Sequence, residues 1–582
     1  MIRAKSIVVL VLGAVLLSGC VHPLSRDIEQ RLRDQMASSH RVYREAVRGA
    51  DDIEVTRQAN LVTAGLEPDL IAKLERISGR AANEQTALEV GPDLLGQSQL
   101  KTVAMSLQRA ILLAVENNRD LRLTKLVPAV RDVQITQAEA VFDVVAFATY
   151  DYQKLDTPQP GTVGGLDVFG SVQQDSRDLT VGLRKLMDTG GQLSISTNLR
   201  RENRVPSFFA VDTFYETNIS VDLVQPLLRN FGSDTTRSQI MLSTNAHAQS
   251  LADLRGTMQE VVASTEEAYW QLVFNRHRLL ILLRLVGDAE KARRIIEARQ
   301  AYDAAREQIS QIRAFVGERR LDVIESRTAL RRSSDQLKQL IYAPHLPLSG
   351  EELIIPLDSM VDAPIQFNTF DAITTAFQNR PDLQRALSEI KDASIRQRVA
   401  DNQRLPLLDL AASVRYNGVS EANIQEAYDN TDDGEFIDYL LSLQFEMPIG
   451  NRAAEAAKKQ RDIERDGAVI NYERVSQAAV LEVKTALRQL NANYESIGAS
   501  HDTRLASADS VRAIQARWDS GADLTPDFVD RWIDRKLDLS RNEIREMSEL
   551  AGYSTAIARY YQTIGTLLKR NGIIFSREPV EE

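Results

Sequence analysis

The residues able to do chemistry in this chain are few, and their spacing argues against catalysis. Six histidines occur, His22, His40, His247, His277, His345 and His501, and none is close enough in sequence to another to form an HExxH-type pair or a compact metal cluster. The lone cysteine, Cys20, excludes an internal disulfide framework and a cysteine-based zinc site. No P-loop, G-x-S-x-G or G-x-G-x-x-G motif is present. The glycine-rich "PGTVGGLDVFG" (residues 160–170) joins two strand-like segments without a following helix, so it reads as a loop rather than a phosphate cradle. The expectation is a protein that is not an enzyme and takes no metal or cofactor. What stands out instead is acid. "WDSGADLTPDFVD" (residues 518–530) sets Asp519, Asp523, Asp527 and Asp530 beside Gly521 and Pro526, inside a stretch that otherwise reads as helix.

Charge and the N-terminus narrow the class. With 81 acidic and 70 basic residues the net charge is -11, which speaks against a nucleic-acid partner and offers no basic face to an anionic membrane. Residues 1–5 are basic and 7–17 apolar, the pattern of an export signal too short to span a bilayer. The segment ends "LLSGC", which resembles the lipobox of bacterial lipoproteins and implies cleavage before Cys20 and acylation of that residue. Val21 follows rather than aspartate, and the resemblance then implies sorting to the outer membrane. Beyond Leu17 no apolar run reaches the roughly 18 to 20 residues of a transmembrane helix, so a membrane crossing would have to be made of strands.

The 582 residues could fold as several domains or one large repetitive one. No proline falls between Pro226 and Pro344, or between Pro448 and Pro526, and both tracts are rich in Ala, Leu, Glu, Gln and Arg. Each reads as a very long helix followed by a return helix; about seventy residues at roughly 1.5 Å per residue reach about 100 Å, so such helices need lateral partners. Before each tract lie short alternating segments: 144–152, 179–187, 192–200 and 217–226 before the first, 407–416 and 438–448 before the second. Leu193, Ile195 and Leu199 alternate with Ser194, Ser196, Asn198 and Arg200. A soluble sandwich and a transmembrane barrel both fit that alternation; the export signal tips the reading to the barrel, for which roughly 9 to 11 residues per strand suffice.

The plan occurs twice. "ENNRDLRL" (residues 116–123) and "QNRPDLQRAL" (378–387) open equivalent helical stretches, and the strand exits "QPLLRNFG" and "MPIGNR", marked by Pro226 and Pro448, launch the two long helices. The boundaries read as a signal peptide at 1–19, a lipid-anchored and mainly helical extension at 20–100, a first repeat at 101–343 with strands at 144–226, a Pro-rich connector at 344–369, a second repeat at 370–568 with strands at 407–448, and a tail at 569–582. Within the extension, "RDIEQRLRDQMASSHRVYREAV" looks helical.

Together with "WDSGADLTPDFVD" and "YYQTIGTLL" (560–568), these duplicated motifs resemble the TolC-like outer-membrane efflux family over residues 101–568. The resemblance implies an α+β chain in a homotrimer: an outer-membrane β-barrel continued by a long antiparallel α-helical, coiled-coil periplasmic barrel, built from two internal repeats per chain. It implies passive conduction, powered by an inner-membrane RND or ABC transporter joined through a periplasmic adaptor, or membrane fusion protein. It also implies that Asp527 and Asp530, with Asp523 near them, gather as acidic rings at a periplasmic gate. An acid in the first turn of a helix is equally favoured by the helix dipole, which accounts for Asp527 better than for Asp530 one turn further in. Gly521 would permit the reversal, with Thr525 as N-cap and Pro526 in the first turn of the return helix.

Two features depart from the family. The sequence shows six strand candidates where four are usual, the extra pair turning at "DTGG" (residues 188–191). The first helix-tip turn, "YDAAREQISQI" (302–312), has Ala305 where glycine is usual and Gln311 where aspartate is usual. The physics agrees with an oligomer, because one chain has too few strands to close a water-filled barrel and an open sheet edge cannot sit in lipid. The competing reading is a periplasmic lipoprotein scaffold or adaptor with coiled-coil hairpins.

Overall fold

A computed structural model describes residues 53–54, 67–91, 101–163, 166–205, 212–299, 306–520 and 525–574. Cys20 and the helix expected within residues 26–47 lie outside the described residues. In chain order the main elements are β1 (Ile53–Glu54), α1 (Pro68–Ser78), α2 (Arg80–Glu84), β2 (Thr102–Met105), α3 (Leu107–Asn117), α4 (Arg119–Glu139), β3 (Val145–Val163), β4 (Leu166–Leu186), β5 (Gln192–Val205) and β6 (Thr213–Pro226). There follow α5 (Ser238–Ala298), α6 (Arg306–Ile341), β7 (Leu353–Pro356), β8 (Gln366–Phe367), α7 (Thr369–Asn379), α8 (Pro381–Asn402), β9 (Leu407–Ser420), α9 (Ile424–Asp433), β10 (Phe436–Glu446), α10 (Arg452–Asp519) and α11 (Pro526–Thr563).

The chain divides into two units, one of Met1–Leu126, Leu251–Arg385 and Glu473–Glu582, the other of Val127–Ser250 and Ala386–Tyr472. The first is helical. Along α5 the buried residues Leu285, Ala289, Ala292 and Ile296 recur every three or four positions, and they close a core with Ile309, Ile312, Phe315 and Val316 of α6 and Val529 and Trp532 of α11. On α10, Val483, Leu487, Leu490, Tyr494 and Ile497 keep the same spacing. This is the heptad-like stripe that lets long helices pack side by side, and each fully buried leucine contributes roughly 1.5–3 kcal/mol. The connector adds short strands that the alternation did not signal: β7 pairs in parallel with β2, and β8 pairs antiparallel with β1. Tyr269 of α5 is fully buried, and its hydroxyl lies 3.0 Å from the Met105 carbonyl and 2.6 Å from Asp358 Oδ2 while accepting from the Leu357 and Asp358 amides at 3.1 Å each.

The second unit carries one antiparallel six-stranded sheet in the order β10-β9-β6-β5-β4-β3. All six expected strands are in it, and the hairpin that departs from the family's usual number pairs as an integral part, β4 with β5 and β5 with β6. Its turn at residues 188–191 uses Gly190 at φ 89, where a Cβ would strike the Asn230 carbonyl. Two expectations need correction. The described parts of 160–170 are strand rather than loop: β3 and β4 run through 160–163 and 166–170 in continuous register, from Pro160 opposite Phe169 to Val163 opposite Leu166. Backbone pairing with the neighbouring strand overrides the glycine and proline content of these residues. The strands are also longer than expected, 19 residues in β3 and 21 in β4.

The helix α9, between β9 and β10, was not expected. Asn423 caps it by accepting from the Glu426 amide, and Gly434 ends it in the left-handed region. It lies on the sheet, with Thr431 Oγ1 at 2.5 Å from Thr217 Oγ1 and its Ala427 carbonyl against Gly418, where a side chain would collide. Elsewhere in this unit Asp392 of α8 accepts from Asn245 and Gln249 of α5 at 2.7 and 3.1 Å. Burial raises its pKa against those amide bonds.

Candidate functional site

Two features could do physical work: the sheet in the second unit and the helix tips in the first. The register assigns every strand residue to a face, because directly opposed residues share one. One row runs Ala146, Leu183, Ile195, Val221, Val414, Tyr439 across β3 to β10, and the next runs Ala148, Val181, Thr197, Ile219, Tyr416, Ile437. The opposite face carries the rows Arg184, Ser194, Asp222, Ser413 and Thr180, Asn198, Asn218, Asn417. On that face the side chains hydrogen-bond across strands: Ser196 with Ser220 at 3.0 Å, Ser413 to Asp222 at 2.6 Å, Asn198 to Thr180 at 2.9 Å and Asn417 to Asp438 at 2.7 Å. Toward the far strand ends the buried Glu202 accepts from Arg200 at 2.5 Å and Arg204 at 2.6 Å. On the apolar face Val181, Leu183 and Ile195 are about half exposed, and the cross-strand side-chain bonds between β3 and β4 on it lie toward the far strand ends, Tyr152 to Asp175 at 3.5 Å and Gln173 to Asp156 at 3.4 Å.

The sheet does not close on itself: β3 and β10 each have one paired edge among the described residues. Tyr439, Leu440, Leu441, Leu443 and Phe445 of β10 are all more than half exposed, so consecutive apolar side chains on both faces lie uncovered. Exposed apolar residues continue on the helices that adjoin these edge strands, Val130 and Val133 of α4, which leads into β3, and Ile463 and Ile470 of α10, which leaves β10. Both exits from strand to helix bend through left-handed backbone, at Asn230 and Gly232 after β6 and at Gly450 and Asn451 after β10. Pro226 is the last residue of β6, and Pro448 lies two residues past the end of β10.

At the tips, α10 ends at Asp519 and α11 starts at Pro526, with the Thr525 hydroxyl accepting from the Phe528 amide at 3.3 Å. Asp527 falls in the first turn of α11, and Asp530 follows on the same face; both are exposed. Gly521, Asp523 and Ala305 lie outside the described residues. Gln311 does not sit in a turn, as the tip motif suggested, but within α6, because the helix begins at Arg306. From there Gln311 Nε2 donates to Asp530 Oδ2 at 3.4 Å. An aromatic group that the acid drew attention away from holds this end: Trp518 packs on Phe528 and Trp532 at centroid distances of 6.0 and 5.4 Å, and Trp532 Nε1 donates to Gln515 at 3.3 Å. Two tryptophans flanking a helix break were a legible signal of a packed hairpin end.

Residues 372–530, from α7 through the start of α11, match the family model described as "Outer membrane efflux protein". The chain carries an outer membrane efflux protein domain. Its fold extends beyond that domain and is shared with solved outer-membrane channels. The Campylobacter jejuni CmeC outer membrane channel aligns at TM-score 0.56 and 16% identity, over 79% of this chain and 86% of that one. The open-state Neisseria gonorrhoeae MtrE outer membrane channel aligns at 0.52 and 16%, over 80% and 90%. The outer membrane protein VceC from Vibrio cholerae aligns at 0.55 and 13%, over 79% and 96%. No curated protein matches the sequence. The TolC-like resemblance of the duplicated motifs and the efflux-protein domain agree. Among the described residues no helix is long and apolar enough to cross a membrane, and no group of three or more His, Cys, Asp or Glu is placed to hold a metal.

Proposed function

We propose that this chain is one protomer of a trimeric outer-membrane duct. It would passively conduct substrates from an inner-membrane RND or ABC transporter, through a periplasmic adaptor, to the cell exterior. The observation that carries this reading is the combination of one apolar and one polar sheet face with two unpaired edges. A sheet with an apolar outer face and unpaired edges is tolerated in lipid only when the edges are closed, and copies joined β3 to β10 would close them. Three such sheets reach the strand number at which a barrel leaves an aqueous lumen, which the hydrogen-bonded polar face would line. The exposed stripes on α4 and α10 support the same seam below the strands, since each adjoins an edge strand. The twofold plan of helix, strands, long helix and return helix is read as an internal duplication, supported by left-handed asparagines at both strand exits. The boundaries at 101–343, 344–369 and 370–568 belong to this reading, as do acylation of Cys20 and lipid anchoring in the outer membrane.

Asp527 and Asp530, with Asp523, are assigned to the periplasmic mouth. A scaffold or adaptor lipoprotein is the weaker reading, because it gives no role to a six-stranded sheet exposing apolar residues on its edge. In the outer-membrane fraction the unmodified protein should run as a detergent-resistant trimer that dissociates on heating, and cysteines at Val130 and Ile470 should cross-link its copies into trimers that survive heating until the disulfides are reduced. Extraction as an uncross-linked monomer without detergent would reject the duct.

A further inference from the structure

Residues 67–91 precede the first repeat, and nothing in a duct requires them, yet they are built into the helical core. Leu74 of α1 is fully buried against Leu505, Ala508 and Val511 of α10 and Leu539 of α11, with Leu70 and Ile71 beside it. Arginines from three different long helices converge on this one segment. Arg504 of α10, with 3% of its side chain exposed, donates to Ser78 Oγ at 2.6 Å and Glu75 Oε1 at 2.7 Å while its Nε is held by Glu546 of α11. Arg284 of α5 donates to the Ile77 carbonyl at 3.3 Å and pairs with the buried Glu543 of α11. At the segment's other end, Arg327 of α6 donates to the Glu89 carbonyl at 2.8 Å and Arg331 to the Gly91 carbonyl at 3.0 Å. The buried Arg504 guanidinium is costly to leave unpaired, so its tie holds firmly once made, while the partly exposed Arg284, Arg327 and Arg331 add further points of attachment.

The geometry places the segment across both helical hairpins. α5 and α6 form one, α10 and α11 the other, and the two tips meet at Gln311 and Asp530. Leu505 and Arg284 each stand about 20 Å of helix above the ends of α10 and α5, at 1.5 Å per residue. Moving one hairpin tip away from the other therefore strains a bridge that is anchored on each hairpin by arginine side chains.

We propose that residues 67–91 are a strap that clamps the two hairpins together and limits how far their tips separate. Its bearing on transport rests on the duct reading, in which those tips form the mouth; the clamp itself does not.

The test labels Ser310 and Asp534 as a spin pair in one chain of each assembly, in a Cys20→Ser background, and reads the distance distribution between tips. The strap is cut at either end: Glu75→Ala with Ser78→Ala, which leaves Arg504 paired with Glu546, or Arg327→Ala with Arg331→Ala. Both cuts should widen the distribution and shift it to longer separation, although they lie at opposite ends of the segment. A distribution unchanged by both, or altered by only one, overturns the strap, because a local packing defect has no reason to be reproduced from the far end. Conductance of the same assemblies in planar bilayers is read separately. Absence of any ion conduction by the unmodified protein would reject the duct, while the distance measurement would still decide the strap.

Discussion

Gln311 and Asp530 meet across the two hairpins, the amide of one donating to the carboxylate of the other at 3.4 Å. A neutral partner on the first return helix leaves the carboxylate charge uncompensated, so the tip stays acidic while still tied. At that length, and in an exposed setting, the bond is weak, worth no more than about 0.5 kcal/mol. The tip's charge, rather than this contact's strength, is what the pair contributes.

Replacing Asp527 and Asp530 together by asparagine should therefore leave unfolding little changed while lowering cation selectivity. It should also relieve block by divalent or trivalent cations added from the tip side. Single-channel recordings with reversed salt gradients measure both. Selectivity and block identical to the unmodified protein would reduce these residues to helix capping.

Stability should respond to pH through Glu543. Burial pushes its carboxyl from 4.5 up to about 7, against the pull of Arg284, Arg504 and Lys536. A raised carboxyl pKa means that the fold binds more protons than the unfolded chain between those values, so this group's contribution improves as pH falls from about 7 toward 4.5 and is least favourable above about 8. Glu543→Gln keeps an acceptor for Arg284 and should flatten that dependence. Thermal melting of both proteins from about pH 5 to about pH 8 checks it, and parallel curves would refute it.

Tyr269→Phe should cost about 1–3 kcal/mol, because it removes the one hydroxyl serving the Met105 carbonyl, Asp358 and two connector amides in a buried position. Denaturant unfolding measures the loss, and protection of the Leu357 and Asp358 amides from hydrogen exchange should fall with it. Unaltered protection at those amides would show that the connector is held by other contacts.

Cysteine scanning distinguishes the sheet faces. Thiols at Leu193 and Ile195 should react with lipid-phase reagents, and thiols at Ser194 and Ser196 with water-soluble reagents entering the lumen. Equal reaction of all four positions with bulky external reagents would place the β4–β5 hairpin in solution.

For Cys20, substitution by serine should abolish lipid labelling and weaken or misroute membrane attachment, with the strands still able to insert. A mature N-terminus found anywhere else by mass spectrometry would remove the anchor from the account.

Much of this architecture was written in local patterns. Proline-free tracts rich in helix formers became the 61- and 68-residue helices α5 and α10, because helix propensity and heptad spacing act over a few residues at a time. Strand positions were legible for the same reason: period two is local, and Leu193 to Arg200 announced its two faces unaided. The missed α9 also had a local signature, Asn423 and Glu426 at capping-box spacing with Gly434 as its stop, hidden between two strands. Other features depended on contacts between distant parts of the chain. Whether residues 160–170 turn early or continue as paired strand depended on β3 meeting β4 in register. That Gln311 faces Asp530, and that Arg504, Arg284 and Arg327 all close on residues 75–89, involves partners roughly 200 to 430 positions apart, as their hydrogen bonds record. Sequence spacing cannot encode such meetings, since they arise only when whole helices align and buried charges must find partners.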